Sequence, residues 1–233
     1  MKGNAKYYEL INTAYLLNDI YFDEVNEKTG KFINSSMLLD DELANIHESR
    51  GYKYYVYDSL YPRESDKIYK KGRVYVFKIR SIDKDLITKI RKTITKTKSE
   101  YFQVVSTELK AYDQFFINEL YTVTPVVLTV DNRFWVKRDS MELLERRIVE
   151  NLIKKYKDYY EEEIEVEESF IQGIEIKNYK TIGTKYKDIR LMGNKLTILV
   201  KEDEISQKLA FMALGTGLLE KNSSNGMGFC IAK

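Results

Sequence analysis

The segment DSMELLERRIVENLIKKYKDYY, residues 139–160, decides the fold because it is the clearest helix in the chain. Asp139 and Glu142 form a pair that resembles a capping box, so we expect the helix to begin at Asp139. Its apolar side chains recur at helical spacing along one face, namely at Met141, Leu144, Ile148, Leu152, Tyr156 and Tyr159. A helix with one apolar face must pack against another element, and the flanking sequence favours a sheet.

Strand-like sequence lies on both sides of this helix. The predicted strands are rich in β-branched and aromatic residues and cover Leu120–Val130, Phe134–Lys137, Phe170–Ile176, Lys195–Lys201 and Gly226–Ala232. A short helix, with Ser206 as its predicted cap, separates the last two of these strands. The second half of the chain therefore alternates strands with two helices.

The first half predicts the same order of elements. Its predicted strands are Tyr7–Leu17, Tyr52–Ser59, Arg73–Arg80 and Phe102–Leu109. A polar, helix-compatible stretch covers Asp23–His47, and Leu86, Ile87, Ile90 and Ile94 recur at helical spacing. Asp83 or Asp85 is placed to cap that second helix.

Each half thus reads as β-α-β-β-α-β, the ferredoxin-like arrangement. We predict an α+β protein with two tandem ferredoxin-like domains, each built on an antiparallel sheet. A length of 233 residues also favours two domains. The predicted domains are residues 1–115 and residues 116–233.

Composition excludes several classes of site. Cys230 is the only cysteine and His47 the only histidine, so neither an internal disulfide nor a Cys/His zinc site can form. The sequence has no Walker-type phosphate loop and no G-x-S-x-G motif. We expect no cofactor and no metal. The start MKGNAKYYEL lacks an apolar secretory segment and no apolar run approaches about 18 residues, so a cytoplasmic protein without membrane contact is expected.

Charge is unevenly distributed along the chain. The segment Lys67–Lys98 carries twelve Lys or Arg against two Asp, whereas Asp158–Glu168 carries seven acidic residues and no basic one. The basic segment predicts a face for nucleic acid, and the alternative is a solvated helix lined with lysines. The acidic segment should lie away from any polyanion.

The first candidate site is IHESRGYK, residues 46–53. If His47 ends a helix and Lys53 enters a strand, a turn at Gly51 brings an imidazole and an ammonium to one edge of the sheet. Histidine can take the proton of a ribose 2′-hydroxyl, and lysine can stabilise the charge that develops on the phosphate. The alternative is a histidine that caps the helix or stacks at the surface.

The second candidate site is LGTGLLEKNSSNGMGF, residues 214–229. Glycines allow phosphates to approach backbone amides, and Lys, Asn and Ser supply donors for phosphate or sugar oxygens. The candidate RNA-binding residues are Gly215, Gly217, Lys221, Asn222, Ser223, Gly226 and Gly228. The alternative is a flexible glycine loop that joins the last helix to the last strand.

Together the two segments resemble the CRISPR-associated repeat-cleaving endoribonucleases of the repeat-associated mysterious protein superfamily. The family carries a histidine in an LHE-like segment, then a lysine and an aromatic-rich strand, which here reads NIHESRGYKYYVYDSLYP, residues 45–62. It ends in a loop of the form G-x-G-E-K-N-S-x-G-F-G. In this chain Leu218 and Leu219 precede Glu220, and an additional Ser-Asn precedes Gly226, so the loop is longer than the family form.

The resemblance implies metal-independent cleavage of CRISPR precursor RNA within repeats, by 2′-hydroxyl attack that leaves a 2′,3′-cyclic phosphate and a 5′-hydroxyl. His47 would be the general base or acid and Lys53 would stabilise charge. The third catalytic residue is open: Phe32 stands where a tyrosine is expected, and Tyr21, Ser35, Ser36 or no residue would serve. Repeat RNA is the expected partner, with CRISPR effector proteins as further candidates and a monomer or homodimer as the expected state.

We also predict that Arg73, Lys78 and Arg80 hold the RNA backbone, with Lys78 and Arg80 on one face of their strand. Two alternatives to the nuclease are open. One is a non-catalytic RNA-binding subunit of a CRISPR effector complex. The other is a generic ferredoxin-like RNA-binding module, in which Tyr54, Tyr55 and Tyr57 would stack on bases.

Overall fold

The computed structural model describes residues 5–164 and 168–233. Residues 5–113 hold the first set of elements, here called the N-terminal unit. Its strands are β1 Lys6–Leu16, β2 Ile20–Tyr21, β3 Tyr55–Tyr57, β4 Ile68–Tyr69, β5 Val74–Ser81 and β6 Phe102–Asp113. Its helices are α1 Val25–Met37, α2 Asp41–Glu48 and α3 Lys84–Ile94.

Residues 119–232 hold the second set, here called the C-terminal unit. Its strands are β7 Glu119–Thr122, β8 Thr129–Val130, β9 Arg133–Phe134, β10 Ile171–Ile176, β11 Ile182–Tyr186, β12 Ile189–Gly193, β13 Leu196–Val200 and β14 Cys230–Ala232. Its helices are α4 Met141–Tyr160, α5 Glu204–Thr216 and α6 Asn222–Asn225.

Each unit contains one four-stranded antiparallel sheet. The strand order is β3-β5-β1-β6 in the first and β10-β13-β7-β14 in the second. Numbered within each unit, both orders read 2-3-1-4, which is the ferredoxin-like topology. The predicted α+β class with tandem ferredoxin-like folds is confirmed. A domain boundary between residues 115 and 116 stays a prediction.

Several element bounds differ from those predicted. The stretch Asp23–His47 forms two helices, because the chain turns after Met37 and Asp40 caps α2 by accepting from the Leu43 amide. Only Tyr55–Tyr57 of the predicted strand Tyr52–Ser59 pairs in the sheet, and Leu120–Val130 shortens to β7 followed by a small hairpin of β8 and β9.

Two predicted helix caps were wrong by a few residues. Ser140, not Asp139, caps α4 by accepting from the Leu143 amide at 3.2 Å, while Asp139 pairs with Arg133. Asp203, not Ser206, caps α5. The cap of α3 is Asp83, one of the two residues predicted for that role.

The two units share buried apolar contacts. Tyr7 of β1 and Ile82, directly after β5, pack in the core of the C-terminal unit with residues of α5. The hairpin of β11 and β12, which was not predicted, also reaches the N-terminal unit: Lys185 pairs with Glu24 at 2.7 Å and Arg190 with Asp23 at 3.3 Å. Helix α5 and this hairpin thus join the units.

Candidate active site between the two units

The chain reverses between His47 and Lys53. Helix α2 ends at Glu48, and Gly51 follows with φ +121°, a backbone conformation that favours glycine. The reversal brings the Lys53 ammonium back to the end of the helix, where it donates to the backbone carbonyl of His47. The structure therefore brings these two residues together, with the ammonium on the His47 carbonyl.

The imidazole of His47 is half-buried, and its Nδ1 is buried with no hydrogen-bond partner among the described residues. Burial lowers the pKa of His47 below its ordinary value of 6.5, and the Lys53 charge lowers that pKa further. Burial also lowers the pKa of Lys53. A depressed pKa keeps the ring neutral near pH 7, the form that accepts a proton.

A groove of about 430 Å³ begins beside Lys53 and runs between the two units. Its walls come from the turn before β3, from α4 and from the loop after α5. The lining residues include Gly51, Tyr52, Lys53, Tyr54, Asn151, Lys155, Lys221, Asn222 and Ser223. The two segments singled out in the sequence thus face one groove.

Asn222 organises the loop after α5, which we call the glycine-rich loop, residues 217–229. Its side-chain amide donates to the carbonyls of Leu218 at 2.9 Å and Met227 at 2.8 Å. Lys221, directly before it, has φ +63° and lines the groove. The loop is therefore an ordered turn with its polar residues beside the groove.

The glycines of this loop are explained by packing of the chain on itself. A Cβ on Gly226 would lie 2.5 Å from the carbonyl oxygen of Tyr57, and one on Gly228 would lie 2.1 Å from that of Leu218. A Cβ on Gly217 would lie 2.7 Å from the Asn222 amide nitrogen. These contacts require glycine without any ligand, a reason that the sequence did not reveal.

Gly215 does not belong to the loop. It lies inside α5 and is buried, and a Cβ there would approach the Ile82 side chain to 2.6 Å and the Tyr7 Cβ to 3.1 Å. The predicted RNA-binding role of Gly215 is therefore wrong. Its absent side chain lets α5 approach the N-terminal unit closely.

Lys155 is a residue of the groove that sequence reasoning missed. It is 2% exposed, and its ammonium donates to the Gly217 carbonyl at 2.7 Å and to the Asn222 side-chain oxygen at 2.9 Å. It follows Ile148 and Leu152 at helical spacing on the apolar face of α4. A lysine in an apolar stripe is the signal that points to it.

Arg80 contradicts its predicted role in RNA binding. It is 5% exposed, pairs with Glu9 at 2.7 Å and donates to the Cys230 carbonyl at 2.7 Å. Its guanidinium also stacks over the ring of Phe229, 4.5 Å from the centroid. Strand register places Arg80 opposite Glu9 in the first sheet, and its bond to the Cys230 carbonyl reaches the second sheet. Arg80 therefore joins the two sheets.

Lys78 shares a strand face with Arg80, as predicted, and its ammonium lies 3.2 Å from the other oxygen of Glu9. Arg73 is exposed and makes two contacts with the Glu64 carboxylate at 3.0 and 3.2 Å. Both basic residues are thus paired with carboxylates. Their contact with RNA stays a prediction.

The candidates for a third catalytic residue lie in different surroundings. Phe32 is buried in the core of the N-terminal unit, and Ser36 is buried and donates to the Ile33 carbonyl. Ser35 is exposed on α1, and Tyr21 is 59% exposed on β2. No hydrogen bond between Tyr21 and His47 occurs in the described part of the chain.

Tyrosines beside the groove are mostly structural. Tyr55 and Tyr57 are at most 1% exposed and lie in the core. Tyr54 donates to Asp158, the first residue of the acidic segment, which was expected to lie away from a polyanion. Residues 165–167 of that segment are outside the described residues. Asp158 itself lies beside Tyr54 at the groove wall, and the separation of the acidic segment from a polyanion stays a prediction.

Over residues 5–164 and 168–233 there is no cluster of three or more His, Cys, Asp or Glu side chains able to hold a metal ion. Within the same residues, no helix has both the length and the apolar character needed to cross a bilayer.

Comparison with known proteins decides the family. Residues 110–231, more than half of the chain, match the family model described as "CRISPR associated protein Cas6, C-terminal". The chain belongs to the Cas6 family. A curated Cas6 relative is the CRISPR-associated endoribonuclease Cas6 2 of Methanocaldococcus jannaschii, which is 25% identical over 229 residues, covering 91% of this chain and 93% of that protein.

Solved Cas6 structures share the fold over nearly the whole chain. A structure described as "CRISPR associated protein Cas6" aligns with a TM-score of 0.75 at 16% identity, covering 97% of this chain and 99% of the other. A Cas6-related protein from Pyrococcus furiosus aligns with a TM-score of 0.72 at 18% identity, covering 97% and 98%. Both support the tandem ferredoxin-like architecture.

Proposed function

We propose that this Cas6-family protein is an endoribonuclease that cuts CRISPR precursor RNA within its repeats. The observation that carries the proposal is that Lys53, whose ammonium donates to the backbone carbonyl of His47, lines a groove that also contains Lys221 and Asn222. Family membership and the name of the M. jannaschii relative support the same reaction class.

In the proposed reaction the ribose 2′-oxygen attacks the adjacent phosphorus, and the bond from phosphorus to the 5′-oxygen breaks. His47 takes the 2′-hydroxyl proton or supplies the proton of the leaving 5′-oxygen. Since its Nδ1 is buried, Nε2 is the nitrogen that meets the RNA. One proton leaves the 2′-hydroxyl and one is taken up by the 5′-oxygen: His47 transfers one of them and solvent exchanges the other. The products are a 2′,3′-cyclic phosphate and a 5′-hydroxyl, and the step requires no metal.

Lys53 supplies positive charge beside the reacting phosphate. Its ammonium uses one N–H on the His47 carbonyl, which leaves two donors for phosphate oxygens. Negative charge grows on those oxygens as the 2′-oxygen attacks, so a fixed donor stabilises the transition state more than the ground state. The bond to the carbonyl also holds the ammonium at a constant position relative to helix α2.

The C-terminal unit holds the RNA in this proposal. Lys221, Asn222 and Ser223 line the groove and present an ammonium, an amide and a hydroxyl to the backbone. Such contacts position the RNA without reading its sequence. The groove of about 430 Å³ has room for a nucleotide or two of the RNA strand.

The test is single-turnover incubation of the purified protein with repeat RNA from a neighbouring CRISPR array, in EDTA. We expect one discrete cut per repeat, a 5′ fragment that resists a phosphatase until acid opens its cyclic phosphate, and a 3′ fragment that polynucleotide kinase labels directly. Binding without any cut would contradict the proposal and support the non-catalytic effector subunit. Equal binding to unrelated single strands, again without cutting, would support the generic RNA-binding module.

A further inference from the structure

Lys155 connects the core of the C-terminal unit to the glycine-rich loop. Its ammonium holds the Gly217 carbonyl, at the start of the loop, and the Asn222 side chain, in its middle. Asn222 in turn holds the carbonyls of Leu218 and Met227. One buried ammonium therefore fixes both ends and the centre of the loop.

The charge of Lys155 has no carboxylate partner among the described residues, although 18 ion pairs occur there. Burial of an ammonium in such a place is costly, and it lowers the pKa of Lys155 to about 7. The titratable groups on the elements packed around it are Tyr52, Lys53, Tyr54, Glu220, Lys221 and Cys230. Additional negative charge would stabilise this ammonium.

Lys155 lies at the inner wall of the groove: it is one of the lining residues, yet only 2% of it is exposed, so an anion reaches it only from within the groove. Two of the three ammonium donors are used by Gly217 and Asn222, which leaves one donor. The Tyr52 ring centroid lies 5.9 Å from the ammonium on the groove side. The remaining N–H has no acceptor among the described residues, and a phosphate oxygen of an RNA backbone would supply an acceptor that is also negatively charged.

We propose that Lys155 is a phosphate-binding and loop-positioning residue, whose remaining donor takes an RNA backbone phosphate in the groove while its other two donors hold the glycine-rich loop. The inference rests on the proposed function, in that it requires the groove to accept RNA. It adds a third cation, from helix α4, to the ammonium groups of Lys53 and Lys221 that line the same groove.

The proposal predicts that RNA binding is coupled to protonation. Below about pH 7 the ammonium is already charged in the free protein, so affinity is independent of pH. Above that pH the free protein must take up a proton when phosphate binds, so affinity falls with rising pH, by at most about tenfold per pH unit. The affinity stops falling once the pH exceeds the pKa that Lys155 has in the complex, which the bound phosphate raises.

The experiment measures binding of fluorescein-labelled oligo(U) by anisotropy between about pH 6 and about pH 8.5 at constant ionic strength. It uses the full chain carrying His47→Ala, so that neither cleavage nor histidine titration contributes. Lys155→Met removes the ammonium at similar volume. Lys157→Met, on the same helix but exposed and paired with Glu163, is the matched control for loss of one positive charge.

We expect the parent and Lys157→Met to lose affinity as pH rises above about 7, and Lys155→Met to bind about tenfold more weakly at about pH 6 and to lose less affinity than the parent as pH rises. Lys155→Arg keeps its charge and should restore binding, again with a smaller loss than the parent as pH rises. Asp58 and Lys195, with pKa values of about 7 and about 8, contribute equally to all the variants and cancel in the comparison.

Thermal melting shows whether each variant is folded, and calorimetry in two buffers of different ionisation enthalpy measures proton uptake directly in the parent. A pH-independent parent affinity, absent proton uptake, undetectable oligo(U) binding at low salt, or identical profiles for Lys155→Met and Lys157→Met would overturn the inference. Because cleavage is not measured here, the inference and the proposed nuclease activity can fail separately.

Discussion

The two units have the same strand order but place their functional residues on different connections. In the N-terminal unit the first helix-to-strand connection, residues 49–54, carries Lys53, whereas the equivalent connection of the C-terminal unit, residues 161–170, is acidic. In the C-terminal unit it is the second such connection, residues 217–229, that is rich in glycine and polar donors. The shared framework therefore positions the loops, while the loops determine the chemistry.

The groove arises because these two unlike connections face each other. Its N-terminal wall contains Lys53 beside His47, and its C-terminal wall contains Lys221 and Asn222. We infer a division of labour in which residues of the N-terminal unit catalyse the cleavage and residues of the C-terminal unit bind the RNA.

The largest effect should come from His47. His47→Ala should slow single-turnover cleavage by about 10² to 10⁴-fold, the usual loss when a general acid or base is removed, with RNA affinity nearly unchanged. Asn45→Ala, exposed on the same helix, is the control and should cleave at the parent rate. Cleavage at the parent rate by His47→Ala would remove the chemical role of the N-terminal unit.

The next effect should come from Lys53. Lys53→Met should slow cleavage by about 10² to 10³-fold, as for loss of one donor to developing oxyanion charge. Lys67→Met, exposed in the same unit, controls for the general loss of positive charge. If both variants reduced the cleavage rate equally, Lys53 would act only through the overall positive charge of the protein, which would contradict its role beside the reacting phosphate.

A stability effect should distinguish Arg80 of β5 from Arg73, which directly precedes that strand. Arg80→Met should lower the free energy of unfolding by about 2 to 3 kcal/mol, because Glu9 stays buried and keeps only Lys78 as a partner. Arg73→Met, whose ion pair is exposed, should change it by less than about 0.5 kcal/mol. Urea unfolding of both variants measures the difference. Equal losses would contradict the assignment of Arg80 to the junction between the units.

The smallest effect should be a shift in the pH dependence of cleavage. If His47 is the base, the rate rises with pH while the ring loses its proton and levels off above the pKa, which lies below 6.5. Lys53→Met removes one cause of that depression, so the rising limb should move to higher pH. Single-turnover rates of the parent and the variant across the acid range measure the shift. A limb that moves to lower pH would contradict the contact between these residues.

Local sequence patterns were sufficient for the fold and for part of the groove. The spacing of apolar residues indicated α3 and α4, the cap of α3 was among the residues predicted, and the strand runs indicated the order within each unit. The reversal at Gly51 followed from the short spacing between His47 and Lys53. Long-range register was beyond such patterns, so the burial of Arg80 against Glu9 and Cys230 could not be foreseen.

The role of the loop glycines was also hidden in the sequence. A glycine required by a neighbouring carbonyl, such as Gly228 beside Leu218, has the same sequence signature as one that admits a phosphate. The burial of Lys155 could have been predicted from the sequence, because a lysine between Leu152 and Tyr156 on an apolar face is buried only if its ammonium has a hydrogen-bond partner. The partner itself, a loop about 60 residues later in the chain, needed the structure.

The most direct measurement of the division of labour is to separate RNA affinity from the saturating single-turnover rate in two variants, one from each wall of the groove. We expect His47→Ala to lose rate and keep affinity, whereas Lys221→Met should bind RNA about tenfold more weakly and keep the rate at saturating RNA. If His47→Ala lost affinity while Lys221→Met lost the saturating rate, the assignment of catalysis to one unit and RNA binding to the other would be contradicted.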